Sequence, residues 1–180
     1  LLEPIAPGRF RVRPLFRGRL KQVLVKFGYP VDDRAGYTDG DGLELALRKE
    51  MRSGGPFAPR AYQQDAAEAF CAAGSGVVVL PCGAGKTIVG MDCIDRLQSS
   101  TLILATNGTA VRQWIGEILD KTTLREDQIG EYTGRRKEIR PITVTTYQIL
   151  THRENRDAPF RHQGLFDERD WGLVVYDEVH

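Results

Sequence analysis

The chain has 180 residues, 41% apolar and 27% charged, enough for one packed domain with a smaller appendage. That balance excludes a disordered chain, and no apolar run approaches the roughly 20 residues of a membrane-spanning helix, so no membrane partner is expected. Lys and Arg number 25 against 24 Asp and Glu, and the net charge of +1 argues neither for nor against nucleic acid. The opening LLEPIAPGRF carries Pro and an acid and has no apolar core before a small-residue cleavage site, so it is no signal peptide. Cys71, Cys82 and Cys93 form neither an even disulfide framework nor a CxxC pair, which points to a reducing, cytoplasmic setting. The missing initiator Met and the stop at His180 read as cuts in a longer polypeptide.

In chain order, RFRVR (9–13) alternates like a short half-exposed strand. Leu20, Val23, Leu24 and Phe27 then recur at helical spacing, with Gly28 as the C-cap. Seven basic residues between Arg9 and Lys26 face a single acid, Glu3, and form either a phosphate-binding patch or a solvated face. This strand and helix (1–30) read as the end of a small accessory domain. Residues 31–59 are rich in Gly, Asp and Pro and read as a linker holding one short helix around Leu43–Met51. From residue 60 helix and strand alternate. The spacing predicts a helix near 61–73 stopped by Gly74, a buried strand GVVVL (76–80), and a helix near 86–98. Strand TLILAT (101–106), helix 109–120, strand ITVTT (142–146) with a short helix after it, and strand GLVVY (172–176) follow. Uniformly apolar strands separated by helices predict an open, mostly parallel α/β sheet covered on both faces.

GVVVLPCGAGKT (76–87) places GxGKT between a predicted strand and a predicted helix. Small residues let successive backbone N–H groups turn inward around phosphates, and the helix N-terminus adds its positive dipole end. Lys86 can then reach the terminal phosphates and the Thr87 hydroxyl can bind Mg²⁺. Leu80 stands where the general GxxxxGK[ST] pattern has Gly, while Gly83, Gly85, Lys86 and Thr87 are all present. At the other end, GLVVYDEVH (172–180) sets Asp177 and Glu178 at the C-terminal edge of a buried strand, where ligands sit in open α/β sheets. Asp177 is expected to hold Mg²⁺, and Glu178 to orient and deprotonate a water that attacks the γ-phosphate of ATP. Neither half is convincing alone; together they define a nucleotide-hydrolysing site.

These stretches resemble the superfamily-two helicases, and among them the xeroderma pigmentosum group B (XPB) type in its bacterial or archaeal form. RAYQ (60–63) looks like the Q motif, which implies that Gln63 reads the adenine edge with Tyr62 or Arg60 supporting the base. LPCGAGKT is similar to motif I, Leu80 included, so Pro81, Cys82, Gly83, Ala84, Gly85, Lys86 and Thr87 are the implied nucleotide cradle. ATNGTAVRQW (105–114) looks like motif Ia and the Thr-Thr-Tyr of 145–147 like the motif after it. The resemblance implies that Thr106, Asn107, Arg112, Gln113, Thr145 and Thr146 track a DNA backbone. DEVH is motif II, whose final His180 would couple hydrolysis to motion.

The resemblance thus implies a RecA-like P-loop lobe, incomplete and ending after motif II (60–180), with ATP and Mg²⁺ as cofactors. It implies a DNA-repair helicase of three-prime-to-five-prime polarity, associated with the nucleoid. DNA, a second lobe of the same polypeptide and a repair nuclease are the implied partners. A double-stranded DNA translocase that does not separate strands, and a non-catalytic docking module, are the alternatives. Because an arginine from a second lobe completes such sites, these 180 residues alone are expected to hydrolyse ATP poorly or not at all. Trp114, Ile118 and Leu119 read as core rather than base-stacking platforms, and Tyr147 as core or contact. Arg135, Arg136, Lys137 and Arg140 read as a DNA-side surface or a solvated turn.

Overall fold

Near the N-terminus, β1 (Leu2–Ala6) and β2 (Arg9–Val12) form an antiparallel hairpin, and α1 (Arg17–Lys26) follows. Our structure, a computed structural model, describes residues 2–13, 16–29, 31, 39–155 and 158–178, the side chain of Arg17 excepted. The hairpin and α1 belong to a small compact unit, Leu1–Gly36, and the rest of the chain to a second, Tyr37–His180. In the small unit Leu2, Ile5, Phe10, Val25 and Phe27 are exposed, and none of its described residues is fully buried.

The second unit is built on a four-stranded parallel sheet of order β4-β5-β3-β6: β3 (Thr101–Ala105), β4 (Ile129–Tyr132), β5 (Ile142–Thr146) and β6 (Leu173–Tyr176). The two central strands are buried along their whole length. Alternation sends Ile103, Ile142, Val144 and Leu173 to one face, where α2 (Ala61–Ala73), α3 (Lys86–Leu97) and α4 (Gly108–Lys121) pack. Leu102 and Leu104 point to the other face, against Leu150, Leu165, Tyr147 and Trp171. The Leu150 and Tyr147 of that cluster lie on α5 (Tyr147–Leu150). Thr143 and Thr145 sit among these apolar groups because their hydroxyls donate to the carbonyls of Arg140 and Tyr132, at 2.8 and 2.7 Å.

Two predicted elements differ. Residues 76–80 form no strand, and Val77 and Val79 stand 85% and 86% exposed. A strand exists only as part of a ladder, and no described strand pairs with this stretch despite its apolar sequence. The helix expected around Leu43–Met51 is absent as well. Leu43 and Leu45 are buried while Glu44 and Ala46 are exposed, a period of two that belongs to extended chain. This stretch is anchored by Leu43 N–H to the Gln98 carbonyl and by the Gln98 side chain bridging to the Leu45 backbone. Strand β4 was not anticipated; its IGEY sequence is short and carries a Gly and an acid.

Candidate nucleotide site and groove

Every parallel strand runs toward the same edge, so the segments leaving β3, β5 and β6 converge there. Helix α2 ends at Gly74 in the left-handed region, and the extended stretch after it leads into the loop 81–85. Gly83 and Gly85 adopt φ of +76° and +77°, turning the loop into the first turn of α3, which opens with Lys86 and Thr87. The loop rests on α2. Gln63 Nε2 donates to the Ala84 carbonyl at 2.9 Å, the Tyr62 hydroxyl donates to the same oxygen at 2.8 Å, and Arg60 Nη1 donates to the Tyr62 hydroxyl at 3.2 Å. Gln63 Oε1 accepts from the Arg60 N–H at 2.8 Å, and the residue is buried. Gln63 therefore holds the loop through Nε2 and the start of its own helix through Oε1, while Tyr62 and the loop residues Pro81, Cys82 and Gly83 are exposed.

At the end of β6, Lys86 Nζ donates to Glu178 Oε1 at 2.9 Å. This bond holds the ammonium pKa above its ordinary value, through the hydrogen bond first and the nearby negative charge after it. The carboxylate occupies the position in which Lys86 would receive a phosphate oxygen, so the residues fit a nucleotide. Glu178 adopts φ of +56°, an uncommon conformation for a side-chain-bearing residue and a mark of a constrained turn. Asp177 is fixed at three atoms. Its N–H donates to the Leu104 carbonyl at 2.9 Å, its carbonyl accepts from the Tyr147 hydroxyl at 2.8 Å, and its Oδ2 accepts from Trp114 Nε1 at 2.9 Å. Lys86, Asp177 and Glu178 border a cleft of about 490 Å³ that continues between residues 76–80 and β6. Asp177 borders the cleft, and the half-buried Thr87 follows Lys86 on α3; a carboxylate and a hydroxyl are hard oxygen donors of the kind Mg²⁺ takes.

A second groove lies where β3 and β5 end. Asn107 caps α4 by accepting from the N–H groups of Thr109 and Ala110 at 2.9 and 3.0 Å, and Thr146 caps α5. The groove gathers Asn107, Arg112 and Thr146 and adds Thr133, Arg135 and His152. Of the residues expected on a DNA backbone, Thr145 is fully buried with its hydroxyl committed to Tyr132, so it is not available. Thr106 and Gln113 lie outside the groove lining, Gln113 being exposed. His180 lies outside the described residues. In the basic cluster, Arg135 lines the groove whereas Lys137 packs over the Tyr132 ring at 4.5 Å. Trp114 is buried, as its helical spacing implies, but nothing in that spacing reveals that its N–H points at Asp177.

A parallel sheet with a glycine-turned phosphate loop and an acidic strand end defines the RecA-like class of P-loop motor lobes. The T4 bacteriophage UvsW helicase superposes with a TM-score of 0.55 at 16% identity, covering 89% of this chain and 60% of that one. Residues 56–180 match the family described as "Type III restriction enzyme, res subunit". Bacterial relatives named DNA 3'-5' helicase XPB are similar along the chain. The Kineococcus radiotolerans protein is 51% identical over 98% of this chain, and the Mycobacterium tuberculosis protein 52% over 94%. The putative DNA 3'-5' helicase Rad25 of Haloarcula marismortui is 39% identical over the whole chain. The chain belongs to the res-subunit family, and within it to the XPB-type branch of superfamily-two helicases. It spans about 30% of the length of its bacterial relatives.

Proposed function

We propose that the chain is the first motor lobe of an ATP-dependent DNA helicase of three-prime-to-five-prime polarity that serves DNA repair. The observation that carries this reading is the Lys86–Glu178 pair, which joins the phosphate loop to the acidic end of β6. Lys86 exchanges Glu178 for the terminal phosphates. Glu178, once released, orients the attacking water and takes its proton. Asp177 and Thr87 would hold Mg²⁺, which would supply charge neutralisation at the phosphates. Gln63 and Tyr62 set the height of the loop, and their placement under Ala84 makes them supports of the phosphate cradle.

The groove of Asn107, Arg112, Arg135 and Thr146 receives a DNA backbone, through a helix N-terminus, hydroxyls and guanidinium groups that read no sequence. Relatives in Arabidopsis thaliana are named helicase/translocase subunits of a general transcription and DNA repair factor, which supports translocation along duplex DNA as a second reading. A strand-displacement assay separates the two.

ATP hydrolysis by the full-length polypeptide, with and without DNA, tests the proposal. Stimulation by DNA and loss of turnover in Glu178→Gln are expected. Hydrolysis indifferent to DNA would instead favour a nucleotide-dependent docking role, and full activity in Glu178→Gln would remove the assigned base.

A further inference from the structure

Asp177 is gripped from both faces of the sheet. Trp114 reaches it from the face covered by α3 and α4, through the 2.9 Å bond to Oδ2. Tyr147 reaches it from the opposite face, through the 2.8 Å bond to the backbone carbonyl, its ring stacked on Tyr176 at 6.4 Å. A buried Trp or Tyr needs a partner for its polar atom, and many acceptors satisfy that need. Here both find the same residue. Both are also carried by elements that begin at the groove: α4 is capped by Asn107 and α5 by Thr146, two residues of its lining. Trp114 further lies against Gly90 of α3, the helix opened by Lys86 and Thr87.

We propose that Trp114 and Tyr147 are positioning residues that couple occupancy of the groove to the carboxylate of Asp177. The inference rests on the reading of Asp177 as a nucleotide–metal residue and of the groove as a phosphate-backbone site. A backbone held in the groove by Asn107 at the cap of α4, by Arg112 on α4 and by Thr146 before α5 restrains the two elements whose aromatic side chains fix Asp177. Nucleotide bound at Asp177 restrains the same elements through Trp114, in the middle of α4, and Tyr147, the first residue of α5. Each ligand then changes the affinity for the other by the same factor, as linkage requires.

Binding of a fluorescent, non-hydrolysable ATP analogue with Mg²⁺ to the full-length polypeptide, with and without a tailed DNA duplex, tests this without reference to turnover. The wild-type dissociation constant is expected to differ between the two conditions by about fivefold or more. Trp114→Phe keeps an aromatic ring but loses the N–H, and Tyr147→Phe loses only the hydroxyl. Each is expected to bring that ratio toward one, and the double variant to lose less than the product of the single effects, because both act on one residue. A ratio unchanged in Tyr147→Phe, a wild-type ratio of one, or equal weakening with and without DNA overturns the coupling. Asp177→Asn separates the layers. If it binds the Mg²⁺–analogue as the wild type does, the site reading itself fails; if it weakens binding while both Phe variants keep the ratio, only the coupling fails.

Discussion

Gly90 and Gly116 form a pair that separates packing from helix propensity. Both lie inside helices, α3 and α4, so replacement by Ala should add about 0.5–1 kcal/mol of stability through backbone entropy alone. At Gly116 a Cβ meets nothing within 4 Å, and the residue is exposed, so that gain should appear in full. At Gly90 the Cβ would sit 2.7 Å from Trp114 Cη2 and 3.4 Å from Cζ3. Trp114 is 3% exposed and tied to Asp177, so it has little room to withdraw. Overpacking of that kind costs about 1–3 kcal/mol, which exceeds the propensity gain. Gly90→Ala should therefore be less stable than Gly116→Ala by roughly 2 kcal/mol, near 1 M in urea midpoint for a slope of about 2 kcal/mol/M. Urea unfolding followed by far-ultraviolet circular dichroism measures the difference. If Gly90→Ala is stabilised as much as Gly116→Ala, the indole does not fill that space and the contact between α3 and Trp114 is wrong.

Other outcomes follow from single residues. Burial pushes the Cys93 thiol up to about 12, so at pH 8 it carries almost no thiolate. In the native chain iodoacetamide should label exposed Cys82 and spare Cys93 until denaturant is added, as peptide mass analysis would show. Burial, and then Lys137, Arg161 and His152, hold the His162 pKa below its ordinary value of 6.5. The unfolded chain thus binds more protons between the folded value and 6.5, so stability should rise with pH across that window and fall on acidification. Thermal melts from pH 5 to 7 should show a shallower slope in His162→Gln. Asn107→Ala removes the cap of α4 and should cost about 1 kcal/mol, read as a lower melting temperature. Asn107→Asp, which keeps the acceptor, should restore stability while weakening DNA binding in the full-length polypeptide.

Elements whose signal is local are legible in the order of residues alone. Gly74 stops α2 because it alone enters the left-handed region there without strain, and ITVTT becomes β5 because β-branched residues suit a covered parallel strand. The phosphate loop was equally legible, since glycines at 83 and 85, a lysine and a threonine have a chemistry tied to their order. Features that depend on partners far along the chain are set by folding. Residues 76–80 have the composition of a buried strand, yet hydrogen bonding to a neighbour makes a strand, and composition does not supply the neighbour. Thr145 and Thr146 are adjacent and chemically alike, but the pleat turns one hydroxyl into the core and leaves the other at the groove. Leu43 and Leu45 were masked by surrounding Gly and Asp, and only the hydrophobic surface waiting beside Gln98 draws them in. Trp114 was legible as a buried aromatic, and Tyr147, which is half-buried, as core or contact. That both grip Asp177, 63 and 30 residues away, is a fact of folding, because direction in space is not carried by spacing along the chain.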